Sequence, residues 1–282
     1  MKLIDGRAAA AEIMAEVSAA AAELRSAGTD PTLAIVVPTR DEATAWYVRS
    51  IERAAAKAGV SSRVEQLDAP TADDISGLLR RLSADPSVHG IICQTPLPDG
   101  VRLDEVTGHI DPGKDVDGAN PTSLGQLAAG LPTFAPATAA AVLELLHREK
   151  AELSGARTVV VGRSTVVGKP AALLLLNEHA TVTVCHSRTA ALPEVCADAD
   201  ILVVAVGRAH FVGAEHIKPG AVVIDVGTNP TADGGLTGDV DPAAAEGRAG
   251  SYTPVPGGVG PVTTALLLRH TVAAARGEAS GS

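Results

Sequence analysis

Short β-branched runs alternate with longer, Ala-rich stretches along most of the chain, and this alternation limits the possible folds more than any other feature. "TLAIVV" (32–37), "RVEQL" (63–67) and "VHGIICQ" (88–94) read as strands. Residues 42–58 and 71–84 between them read as helices. The first stops at Gly59, and the second opens on a capping Thr71 with Asp73 and Asp74 in its first turn. A helix over 7–27, ending at Gly28, precedes them. The second half repeats the pattern. A strand before Gly162 leads to a helix starting near Val167, and strands follow over 180–188, 199–207 and 220–229. Strands separated by helices require crossovers, which are right-handed and give parallel sheets, so the fold class is α/β. With 282 residues there is room for two domains of moderate size. Residues 137–149 read as a helix bridging to the second half, and the tail "RGEASGS" reads as frayed.

Composition narrows the function class. The formal net charge of −10 argues against nucleic acid or an anionic membrane as partner. Three Cys without a CxxC give no disulfide framework or zinc site, which suits a reducing, cytoplasmic setting. The N-terminal stretch mixes Asp and Glu among its apolar residues and does not read as a signal peptide. No run of 18 uncharged apolar residues offers a membrane span.

Three motifs carry chemistry. In "VVVGRSTVVGKP", a strand turns at Gly162 into a helix, and Gly162 and Gly168 permit the close approach that a phosphate at a helix N-terminus needs. The spacing is not G-x-G-x-x-G, so an ordinary strand–turn–helix is the competing reading. The next strand ends in His186, Ser187 and Arg188, where NAD-binding chains usually place an acid. Arg163 and Arg188 supply positive charge instead, which favours NADP over NAD; a solvated surface role is the alternative for Arg188. "PVPGGVGPVT" (254–263) packs three Gly and three Pro into ten residues, more than a bare turn needs, and reads as a ligand-contacting loop. "KDVDG" (114–118) offers two carboxylates, but no His or third acid at ligand spacing, so no metal is expected and Asp117 is equally a turn former.

Taken together and in order, Tyr47 on the 42–58 helix, "VHGIICQTPLP", "PGKDVDGANP", "VVVGRSTVVGKP", "ATVTVCHSRT", "DILVVAVG", "KPGAVVIDVGTN" and "TPVPGGVGPVTTALL" resemble the bifunctional methylenetetrahydrofolate dehydrogenase/methenyltetrahydrofolate cyclohydrolase family over nearly the whole chain. The resemblance implies two α/β domains around a cleft. Residues 1–136 plus 262–282 would form a folate-binding catalytic domain, and 137–261 a Rossmann-type NADP-binding domain. It implies a cofactor along Gly162, Arg163, Ser164 and Gly168, with Ser187 and Arg188 near the 2′-phosphate and Thr228 near the nicotinamide. It implies a folate against Tyr47, Gln94 and Asp117, with Pro256, Gly257, Gly258 and Thr263 in the substrate loop. A homodimer active in one-carbon metabolism is the implied assembly and role.

One departure stands out. The family pattern Y-x-x-x-K puts a Lys four residues after the Tyr, on the same helix face, and that Lys is implied to drive the cyclohydrolase step. Here the position is Ile51, which has no proton to give. Arg49, Arg53 and Lys57 point about 80° to 160° away from Tyr47 on a wheel of about 100° per residue. Pro38, the "TFAPATAAA" stretch around Thr138, and Thr228 also depart from the common pattern. The reading is therefore an NADP-dependent dehydrogenase with a weak or absent cyclohydrolase. The alternatives are a fully bifunctional enzyme in which Ser50, Gln94 or water substitutes, a folate- or NADP-binding pseudoenzyme, and an oxidoreductase of the shikimate-dehydrogenase type.

Overall fold

A computed structural model describes residues 1–278; the last part of the tail expected to fray lies outside the described residues. The elements in chain order are β1 (Lys2–Leu3), α1 (Gly6–Ser26), β2 (Thr32–Val37), α2 (Glu42–Ala58), β3 (Ser61–Gln66), α3 (Ala72–Ala84) and β4 (Gly90–Cys93). Short helices α4 (Leu103–Thr107) and α5 (Pro121–Ala128) follow, then α6 (Ala137–Glu149), β5 (Arg157–Val161), α7 (Gly168–Asn177) and β6 (Thr181–Cys185). The rest are α8 (Leu192–Cys196), β7 (Ile201–Val204), β8 (Val222–Asp225), β9 (Asn229–Pro230), β10 (Leu236–Thr237), α9 (Pro242–Arg248), β11 (Ser251–Tyr252) and α10 (Val259–Ala275).

The chain divides into two compact units. One comprises Ala11–Ala137 and Thr264–Ser282, and contains the parallel sheet β3-β2-β4. β2 and β4 are buried along almost their whole length, as β-branched central strands should be, whereas β3 is a largely exposed edge. Ile75, Leu78, Leu79 and Leu82 of α3 pack on one face of this sheet with Ala34, Val36 and Ile91. α3 starts with a reciprocal cap: Asp74 N donates to Thr71 Oγ1 at 3.2 Å, and Thr71 N donates to Asp74 Oδ2 at 2.9 Å. α2 ends where Gly59 adopts φ 73°.

The other unit comprises Met1–Ala10 and Thr138–Thr263 and contains the sheet β1-β11-β8-β7-β5-β6, parallel throughout. The strand order reverses at β5, the arrangement of a dinucleotide-binding sheet. The first ten residues cluster with this unit, and Lys2 and Leu3 pair with Ser251 and Tyr252. Gly6 sits so close to the 257–258 backbone that a Cβ on it would lie 1.8 Å from Gly258 O.

The strands expected over 180–188, 199–207 and 220–229 are shorter than the apolar runs. Their ends leave the ladder because side chains capture the backbone. Thr189 Oγ1 accepts from His186 N at 2.9 Å, and Asp239 Oδ2 accepts from Val206 N at 2.6 Å and Gly207 N at 2.9 Å.

Candidate functional site

In the three-stranded unit the site residues are brought together by the carboxyl ends of β2 and β4. Gln94, the first residue past β4, donates its backbone N–H to Val36 O at 2.9 Å. The N-terminus of α2 is tied to the same edge. Asp41 caps it through Thr44 N at 2.8 Å, and the Thr44 hydroxyl lies 2.9 Å from both Asp41 Oδ2 and Thr95 O. This network places Tyr47 one turn into α2 at a fixed height. A cavity of about 400 Å³ lies along these loop ends, lined by Pro38, Arg40, Leu67, Asp68, Leu97 and Pro98.

Asp117 shares a turn with Asp115, and the two carboxylates have different work. Asp115 is fully buried and accepts from Ala119 N (3.0 Å), Asn120 N (2.9 Å) and Ser123 Oγ (2.6 Å), which makes it a turn-builder. Asp117 has one weak partner, Ala137 N at 3.4 Å, at the start of α6. Gly118 adopts φ 57°, and a Cβ there would lie 2.5 Å from Pro136 N, so the turn is pressed onto the 134–136 segment. Burial first, and then the Asp115 charge, push the Asp117 carboxyl up to about 7. Its influence spreads outward. Burial and the Asp117 charge raise the Tyr47 hydroxyl well above its ordinary value, against a hydrogen bond with Thr264. The same two causes push the Cys93 thiol up to about 12. Asp117 is thus close enough to act on both Tyr47 and Cys93, and Cys93 was not among the residues singled out from the sequence.

Ile51 lies one turn after Tyr47 and is 0% exposed. Ser50 does not replace a Lys: its hydroxyl donates back to Tyr47 O at 2.7 Å. Below the Asp117 turn, His270 is buried, contacts Val116 O at 2.8 Å through Nδ1 and lies 5.2 Å from the Phe134 ring. Burial pushes it down to about 4, so it is neutral and structural at physiological pH.

In the six-stranded unit, Gly162 and Gly168 turn out to make room for the chain's own backbone. Gly162 adopts φ 130°, and a Cβ on it would lie 2.2 Å from Ala205 O; one on Gly168 would lie 2.2 Å from Gly162 O. The turn is thereby closed tightly onto the helix it feeds. Ser164 Oγ accepts from Val167 N (3.1 Å) and Gly168 N (3.3 Å), so it caps α7. Arg163 and Ser164 are exposed at that helix end. Ser187 and Arg188 are exposed just past β6, the strand next to β5, in a turn closed by Arg188 N donating to His186 Nδ1 at 3.1 Å. Thr228 is exposed past β8. The arrangement offers donors and positive charge without a carboxylate, which fits a phosphorylated ribose. In the 254–263 loop, Pro256 is exposed, Gly257 adopts φ 114° beneath the Arg7 side chain, Gly258 is buried and Thr263 Oγ1 donates back to Val259 O at 3.2 Å. Among the described residues, no group of three or more His, Cys, Asp or Glu side chains is placed to hold a metal, and no helix is long and apolar enough to cross a membrane.

Residues 4–117 match the family model of the tetrahydrofolate dehydrogenase/cyclohydrolase catalytic domain, and residues 136–279 match that of the corresponding NAD(P)-binding domain. The chain is 61% identical over 277 residues to the bifunctional protein FolD of Parafrankia sp. (strain EAN1pec), covering 98% of this chain and all of that one. Among solved structures it is similar to the bifunctional FolD methylenetetrahydrofolate dehydrogenase/cyclohydrolase of Campylobacter jejuni, with a TM-score of 0.95, 38% identity and coverage of 98% and 99% of the two chains. It is also similar to the Trypanosoma brucei FolD enzyme complexed with NADP cofactor and inhibitor, with a TM-score of 0.92, 39% identity and 97% of each chain covered. Sequence motifs, fold and both domain models agree, and the chain belongs to the tetrahydrofolate dehydrogenase/cyclohydrolase family.

Proposed function

We propose that this chain oxidises 5,10-methylenetetrahydrofolate to 5,10-methenyltetrahydrofolate with NADP⁺, and that hydrolysis of the product to 10-formyltetrahydrofolate is slow on the same chain. The first half is supported by the Ser164-capped turn of α7 beside an acid-free β6 end carrying Ser187 and Arg188. Bound there, NADP⁺ supplies the hydride acceptor. The α7 N-terminus presents its positive dipole end to the pyrophosphate, Arg163, Ser187 and Arg188 hold the 2′-phosphate, and Thr228 serves the nicotinamide end. Tyr47, Gln94 and Asp117 bind and orient the folate, and the loop bearing Pro256, Gly257, Gly258 and Thr263 contributes substrate contacts. A homodimer is the proposed assembly.

The two steps ask different things of the protein. In the oxidation, a C–H bond of the bridging methylene breaks with both electrons leaving as hydride, and the cation is shared between the two folate nitrogens. No proton moves, so positioning suffices. In the hydrolysis, water adds to that cationic carbon, a proton must leave, and the ring C–N bond opens. Ile51 is apolar and fully buried, Ser50 is committed to Tyr47 O, and Gln94 is a neutral amide. A missing general acid or base typically costs about 10²–10⁴-fold in rate.

A second reading, full bifunctionality, is favoured by the 61% identical relative being a bifunctional FolD protein, and by Asp117, whose carboxyl is pushed up to about 7 and so can take up a proton near neutral pH. Absorbance separates the two. NADPH formation from methylenetetrahydrofolate and NADP⁺ reports the oxidation, and decay of added methenyltetrahydrofolate reports hydrolysis. The expected result is NADPH formation with methenyl decay near the buffer rate, accelerated in Ile51→Lys. Rapid decay with the unmodified protein establishes the bifunctional reading instead.

A further inference from the structure

Two carboxylates in the six-stranded unit are 0% exposed: Asp225, within "KPGAVVIDVGTN", and Asp239, outside the motifs above. Asp239 accepts from three successive backbone amides of the loop after β7: Val206 N (2.6 Å), Gly207 N (2.9 Å) and Arg208 N (2.8 Å). Asn229 Nδ2, at the start of β9 just past the loop after β8, donates to it at 2.9 Å. Asp225, at the end of β8, accepts from Gly227 N, Asp239 N and Val240 N, each at 2.9 Å, and from the Tyr252 hydroxyl at 3.4 Å. So Asp225 holds the segment that carries Asp239, and Asp239 holds the loops. Two glycines exist to let the carboxylates in. A Cβ on Gly227 would lie 2.3 Å from Asp239 Cγ, and one on Gly238 would lie 1.9 Å from Asp225 Oδ2. The Arg208 guanidinium, 4.8 Å from the Phe211 ring centroid, anchors the far end of the first loop.

The location of these loops gives the network a function. A dinucleotide lies across the point where the strand order reverses, one mononucleotide on each side. Here β5 and β6 carry the Gly162 turn and the Ser187–Arg188 corner, which take the adenosine half. The loops after β7 and β8 lie on the other side of the reversal. We propose that Asp239 is a positioning residue for the nicotinamide half of the cofactor, acting through the 206–208 and 227–229 loops, with Asp225 as its support. The proposal rests on the NADP reading above. Three consecutive amides form an anion-binding concavity of the kind that takes phosphates, and here the chain fills it with its own carboxylate. The loop is thereby shaped before any ligand arrives.

The test is calorimetric titration of the full chain with NADP⁺ and, separately, with 2′,5′-ADP, which has the phosphorylated adenosine half and no nicotinamide. If the unmodified protein binds neither ligand, the cofactor reading falls and this inference with it. Given binding, Asp239→Asn replaces one acceptor oxygen with a donor facing the same amides. It is expected to weaken NADP⁺ by about tenfold or more while leaving 2′,5′-ADP within about twofold, and to raise KM for NADP⁺ more than KM for the folate. Equal losses for both ligands would show a merely structural role, and no loss for either would show none; each overturns the proposal. Should Asp239→Asn fail to fold, Asn229→Ala removes one of the four donors and leaves the carboxylate in place. It is expected to show the same contrast in smaller measure, and unchanged NADP⁺ binding in that variant overturns the proposal too.

Discussion

Asp117 is held against its own ionisation. It is pushed to about 7 from an ordinary 3.8 by burial and by Asp115, and the single amide of Ala137 at 3.4 Å offsets little of that. The folded chain thus keeps a proton that the unfolded chain gives up. The stabilising effect is complete below 3.8 and is lost as pH rises through about 7. Asp117→Asn is therefore expected to melt with the unmodified protein near about pH 4 and above it near about pH 8, while losing dehydrogenase activity. Melting curves at the two pH values check this, and equal shifts at both would contradict it. The residues of "KDVDG" alone left Asp117 equally a turn former, and its place against the folate came only through the family resemblance. The structure divides the roles by hydrogen-bond count: Asp115 has three donors and builds the turn, and Asp117 is left nearly free. Ile51 was legible as an apolar residue on the Tyr47 face of a helix. That it is wholly enclosed was not, because enclosure depends on neighbours from elsewhere in the chain.

At the scale of elements, what is local was readable. The Thr71 cap, the Gly59 stop and the α7 start near Gly168 all depend on residues within one turn of each other. Thr71→Ala removes the acceptor for Asp74 N and is expected to cost about 1 kcal/mol, measurable as a shift in the urea unfolding midpoint of the three-stranded unit. The ends of β7 and β8 were overestimated by a few residues for a nonlocal reason. Apolar character continues through Val206 and Val226, but Asp239 and Asp225 draw the adjoining backbone out of register. The Gly residues of "VVVGRSTVVGKP" were read as room for a ligand. Their missing Cβ atoms make room for Ala205 O and Gly162 O, so close packing of turn and helix is what requires them.

For the whole molecule, two compact units, each built on one parallel sheet, set where a ligand acts on stability. NADP⁺ at about 100 times its Kd should stabilise the six-stranded unit by about 2.7 kcal/mol, seen by scanning calorimetry as a raised transition; no shift with saturating NADP⁺ would remove the cofactor assignment. The sequence by itself determined the α/β class, parallel strands, most helices and their caps, and the family, because periodicity, capping and motif order are properties of neighbouring residues. Tertiary structure alone decided three things. Lys2 and Leu3 complete the six-stranded sheet, since strand partners far apart in sequence are chosen by the edge left open by β11. Ser50 is spent on the backbone of its own helix and Ile51 on the core, so neither replaces a Lys at position 51. Asp225 and Asp239 became the organisers of the loops past β7 and β8, because the destination of a buried carboxylate is set by which amides surround it once the chain has folded.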